Sequence, residues 1–136
     1  MNSNVQTEKN SIPANIVWFE VPADDPQRAR KFYSELFGWK SDLMPGAEAM
    51  QYYHLDTGGP DASPDGGLMK RQNPGQRGIT NYIAVASVNE SVAKVQKLGG
   101  TVCMPKTPVQ GMGFFAICQD TEGNTFGIWE RAENAK

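Results

Sequence analysis

NIVWFEVPADDPQRARKFYSELFGWK, residues 15–40, decides the fold because it reads strand, helix start, helix, glycine stop and returning strand without interruption. Residues 15–21 are rich in β-branched and aromatic side chains, with Val17, Phe19 and Val21 on one face and Ile16, Trp18 and Glu20 on the other. Asp25 before Pro26 is a helix N-cap, since proline suits the first helical position and disfavours helix in the residue before it. Ala29, Phe32, Tyr33, Leu36 and Phe37 recur at helical spacing, and Gly38 closes the helix.

TNYIAVASVNESVAKVQKLGGTVCMP, residues 80–105, repeats the plan. Ser87 and Glu90 form a capping box, Val88, Val92, Val95 and Leu98 make the apolar stripe, and Gly99-Gly100 ends the helix. Between the repeats, three shorter strands are expected near 39–44, 51–56 and 67–71, separated by the loop TGGPDASPDG. After the second repeat, FFAICQ and NTFGIWE pair as a hairpin across Asp120-Thr121-Glu122-Gly123. The pattern is therefore α+β, with two βαβββ modules at about 15–72 and 79–131 in a single domain of 15–131. Duplication predicts a cleft between curved mixed sheets. Residues 1–14 are polar and expected to be a flexible segment.

Composition narrows the function. A chain of 136 residues is long enough to bury a core without disulfides, and a formal charge of −2 leaves no basic footprint for nucleic acid. No stretch approaches the ~18 apolar residues of a membrane span, and the N-terminus has no apolar leader core, so a cytoplasmic location is expected. Two cysteines, Cys103 and Cys118, are too few for a disulfide framework and read as small apolar groups within strands.

IVWFEVPADDP, FYSELFGW, KVQKLGG and PVQGMGFFAICQDTEGNTFGIWE, in that order, resemble the vicinal oxygen chelate superfamily of glyoxalases, bleomycin-resistance proteins and extradiol dioxygenases. The resemblance implies two βαβββ modules forming a cup, in a homodimer. It also implies a divalent metal held by His, Glu or Gln, acting as a Lewis acid. The chain departs from that ligand set: the corresponding positions carry Trp18, Thr80 and Gly127, and the stretch around Met69 offers no acid. His54 is the single histidine. Neither a metal nor another cofactor is therefore expected.

Alternation points Trp18, Glu20, Thr80, Tyr82 and Trp129 into the cup, with Gly127 leaving room for a flat group. Phe114 or Phe115 joins them according to register, and Phe114 is taken as the contact. An aromatic-walled, metal-independent site for a planar or amphipathic small molecule follows, as in the superfamily's drug-sequestering members. Trp18 and Trp129 either stack on that ligand or fill the cup as core. Glu20 is either a buried acid or base or a rim charge, and His54 is a base only if it faces the cup. The alternative function is a lyase, isomerase or dioxygenase-type enzyme with unconventional ligands or a Glu20 or His54 base. KTPVQGMG, residues 106–113, is expected as a rim segment with Met112 at the entrance.

Overall fold

The computed structural model describes residues 12–60, 64–74 and 78–135. They form two compact units, one spanning Val17–Asn81 and the other joining 82–135 to 12–16. The expectation of a flexible start falls mostly on residues outside those described.

In the first module, β1 (Ile16–Ala23) leads into α1 (Pro26–Phe37), β2 (Lys40–Leu43), a single 3-10 turn at Glu48–Met50, β3 (Tyr53–Asp56) and β4 (Asp65–Lys70). The sheet order is β2-β3-β4-β1, with β1 parallel to β4 and the other pairs antiparallel. Asp25 caps α1 by accepting from the Arg28 N–H at 3.1 Å, and Gly38 closes it at φ +75°. Val21, Ala23, Tyr53, Leu55 and Leu68 form the core, joined by Phe19, Ala29, Tyr33 and Trp39. Helix α1 thus covers one sheet face through Ala29 and Tyr33. Phe32, Leu36 and Phe37, expected in its buried stripe, are instead 57–58% exposed.

The second module runs β5 (Thr80–Ala84), α2 (Val88–Lys97), β6 (Thr101–Val109), β7 (Gly113–Gln119) and β8 (Thr125–Arg131), in the order β5-β8-β7-β6. Ser87 caps α2 by accepting from the Glu90 N–H, and Glu130 Oε1 accepts a further orphan N–H from Val88 at 2.9 Å. Val88, Ala116, Cys118 and Ile128 are its core, while Leu98 lies outside it and exposed. Strand β6 continues through the expected rim segment, because Thr107, Pro108 and Val109 pair with Phe115, Phe114 and Gly113. Only the turn carrying Met112 is left outside the strands. No helix among the described residues is long and apolar enough to cross a membrane.

Candidate functional site

Strand β1 sends Phe19, Val21 and Ala23 toward α1, so alternation leaves Trp18 and Glu20 on the helix-free face of the first module. Parallel pairing aligns Trp18 with Asp65 and Glu20 with Gly67 on β4. Antiparallel pairing then aligns Gly67 with His54 on β3. Glu20, Gly67 and His54 therefore form one row across three strands, with Gly67 as the bare position in the middle.

Tyr52 occupies the space that Gly67 leaves. A Cβ built on Gly67 would collide with the Tyr52 hydroxyl and ring, so the phenol sits directly over that backbone. Its hydroxyl donates to Glu20 Oε2 at 2.6 Å and accepts from Trp18 Nε1 at 3.0 Å. Gln51, one residue earlier, has φ +50°, a left-handed conformation that costs a non-glycine residue on the order of 1–2 kcal/mol.

His54 lies parallel to Trp18, with ring centroids 5.6 Å apart and 8° between planes. Its Nε2 is 3.1 Å from Asp65 Oδ2. The other oxygen, Asp65 Oδ1, accepts from the Thr57 N–H at 3.1 Å, and the Thr57 hydroxyl reaches it at 3.2 Å. The carboxylate is thus held on one side and presented to the imidazole on the other. These side chains stay half-exposed, 40% for His54 and 34% for Asp65, so they are not core. Asp65 belongs to the stretch TGGPDASPDG, a loop by composition, yet it opens β4 because it pairs in register beside Trp18.

The second module's helix-free face is built differently. Tyr82 is 7% exposed and pairs with Gly127, where a Cβ would strike the tyrosine ring. The gap expected at Gly127 is therefore filled by Tyr82 itself. Phe115 meets Tyr82 edge-on at 6.3 Å, while a Cβ on Gly113 would run into the Trp129 ring. Phe114 points the other way. It packs against the Val88–Ala116–Cys118–Ile128 core, and the Lys106 ammonium sits 4.2 Å from its ring centre. The hairpin register thus gives Phe115, in place of Phe114, to the face that carries Tyr82. Thr80 is half-buried at the start of β5. Burial, reinforced by the neighbouring Cys103 thiol, pushes the Cys118 thiol up from its ordinary value, which removes it as a nucleophile at neutral pH.

A family model described as a glyoxalase-like domain matches residues 17–129. The chain belongs to that glyoxalase-like family. A glyoxylase-like domain-containing protein of Didymella fabae is 34% identical over 132 residues, covering 88% of this chain and 96% of that one. CFP32 of Mycobacterium tuberculosis, whose name carries the word glyoxylase, is 33% identical over 115 residues, covering 83% of this chain and 44% of that one. The chain thus spans less than half of this longer relative. Among solved structures, a glyoxalase/bleomycin resistance protein/dioxygenase superfamily member from Vibrio splendidus superposes with a TM-score of 0.63. It is 13% identical, with 86% of this chain and 98% of that one covered, so the likeness concerns the fold.

The donors of this glyoxalase-like chain do not fit the divalent metal that the superfamily implies. Trp18 offers only an N–H and spends it on Tyr52. Gly127 has no side chain and lies beneath Tyr82, and Met69 is a buried thioether on β4. Among the described residues no group of three or more His, Cys, Asp or Glu side chains converges as a metal site. His54 and Asp65 are two donors already facing each other.

Proposed function

We propose that this glyoxalase-like chain is a metal-independent small-molecule-binding protein, of a sequestering or carrying kind, whose first module takes a planar or amphipathic ligand. One observation carries the reading: the half-exposed Trp18–His54 stack is fixed at its edges by Tyr52–Glu20 and by Asp65. A rigid aromatic pair bordered by oriented polar atoms is what a flat ligand with a few hydrogen-bonding groups needs. Trp18 and Glu20 are the proposed contacts on this face, with Tyr82, Trp129 and Thr80 proposed for the second module.

The test is a thermal-shift screen of a metabolite and drug panel on the wild-type chain and on Trp18→Ala. A ligand present at about a hundredfold its Kd adds roughly 2.7 kcal/mol, enough for a shift of several degrees. The expected result is at least one planar hit whose shift is lost in Trp18→Ala. A panel without hits, or hits untouched by the substitution, removes the reading. The homodimer and the cytoplasmic location belong to the same proposal, and a monomer on sedimentation or secretion into the medium would remove them in turn.

A second reading, an enzyme with Glu20 or His54 as base, is favoured by the His54–Asp65 pair. A carboxylate that orients an imidazole is the usual preparation for proton transfer.

A further inference from the structure

An ionised carboxylate only accepts, so against Asp65 the 3.1 Å contact assigns the imidazole N–H to Nε2, and in that tautomer the Nδ1 lone pair of His54 is available. Among the described residues no side chain or backbone group of this chain occupies Nδ1. The other oxygen of Asp65 is held by the Thr57 N–H and hydroxyl, so the carboxylate stays presented to Nε2. Trp18 lies parallel to the same ring and presents its own face beside it.

The charges on this face decide what kind of proton donor can approach. Glu20 comes from β1, Asp42 and Lys40 from β2, Asp56 from β3 and Asp65 from β4, with the Tyr52 hydroxyl over Gly67. Four carboxylates outweigh one ammonium, so a ligand that arrives already anionic is repelled. A carboxylic acid, ionised at neutral pH, is disfavoured on that ground. A ligand that arrives neutral is not, and once its proton has passed to His54 the imidazolium beside the new oxyanion offsets that same field.

We propose that His54 Nδ1 is the proton acceptor for a planar phenol or enol bound against Trp18, with Asp65 as its positioning residue. The inference rests on the small-molecule-binding reading above and names the ligand class for that site. In the step, the ligand O–H bond breaks, the proton bonds to Nδ1, and the electron pair stays on the ligand oxygen. The imidazolium formed keeps its pairing with Asp65 and lies next to the new oxyanion. No oxidant, reductant or co-reactant is needed.

The probes are p-nitrophenol, whose anion absorbs in the visible, and p-nitroanisole, which has the same ring but no proton to give. Equilibrium dialysis of the full chain gives the two affinities, and absorbance of the bound phenol gives its ionised fraction. The expected result is a phenol-over-ether preference of about tenfold, the size of one good hydrogen bond. Bound phenol should also ionise at a lower pH than free phenol. His54→Gln should abolish that pH displacement, and Asp65→Asn should reduce it. Binding of both probes with equal affinity and no displacement overturns the proton-acceptor role while leaving the binding reading in place. Binding of neither probe overturns the phenol proposal alone, since the panel screen decides the binding reading separately. The wild-type comparison decides the matter even if a variant fails to fold.

Discussion

Gly67 has no side chain, and three groups depend on that absence: Tyr52 above it, Glu20 on one flank and His54 on the other. Gly67→Ala would drive a methyl into the Tyr52 phenol within a sheet that cannot retreat, so the ring must leave its position. Overpacking of this kind costs about 1 to 3 kcal/mol. Urea unfolding should show a loss of that size, together with a change in Trp18 fluorescence as its N–H loses the Tyr52 oxygen. An unchanged midpoint and spectrum would mean that Tyr52 does not rest on Gly67. The sequence made Trp18 and Glu20 legible, since alternation along β1 needs only a period of two. It could not assemble the rest of the cluster. Tyr52 precedes its strand and Asp65 looked like loop, and their meeting depends on a parallel register between β1 and β4. The one available signal was negative: two adjacent glycines, Gly66 and Gly67, in a strand usually mark a close approach by something else.

The β7–β8 hairpin turns on Asp120, whose carboxylate accepts from the N–H groups of Glu122 and Asn124 and from the Asn124 amide. Those bonds hold its carboxyl below the ordinary value of 3.8, the Asn124 backbone N–H being the largest cause, then the Asn124 amide and the Glu122 N–H. A depressed folded-state value means that Asp120 stabilises the fold fully above the unfolded value and loses that contribution as pH falls through the folded one. The difference in urea midpoint between the wild type and Asp120→Ala should therefore hold steady from neutral pH down to about 4 and shrink below it. A difference that persists undiminished in strong acid would show that the ionised carboxylate is not what holds the turn. At this scale local signals were most informative where they act through backbone bonds: Asp25, Gly38 and Ser87 mark their helix ends as expected. They were least informative for β6. Pro105 and Pro108 argue against a strand, yet β6 is an edge strand of its module and tolerates proline where no partner needs the missing N–H. Register, invisible in sequence, also decided between Phe114 and Phe115.

Each module repeats βαβββ around its own core, yet the two helix-free faces carry different chemistry. One has Trp18, Glu20, Tyr52, His54 and Asp65 in a hydrogen-bonded cluster, and the other has Tyr82 and Trp129 bedded on glycine. The duplication was legible because apolar periodicity survives a change of side chain, whereas the faces diverged at the positions that periodicity leaves unconstrained. The positions at which the superfamily resemblance implies metal donors carry Trp18, Thr80 and Gly127, with no acid around Met69, and this gives a whole-molecule prediction. A resident divalent ion that stabilised the fold would contribute about RT ln(1 + [M]/Kd), and stripping it would lower Tm by degrees. Excess chelator should leave Tm unchanged and should leave the affinity for any ligand found in the screen within about twofold, because the contacts proposed here are rings and hydrogen bonds. Elemental analysis of the untreated protein should find less than one equivalent of any divalent metal. A stoichiometric ion whose removal abolishes binding would overturn metal independence, and it would direct attention to His54 and Asp65 as its first two ligands.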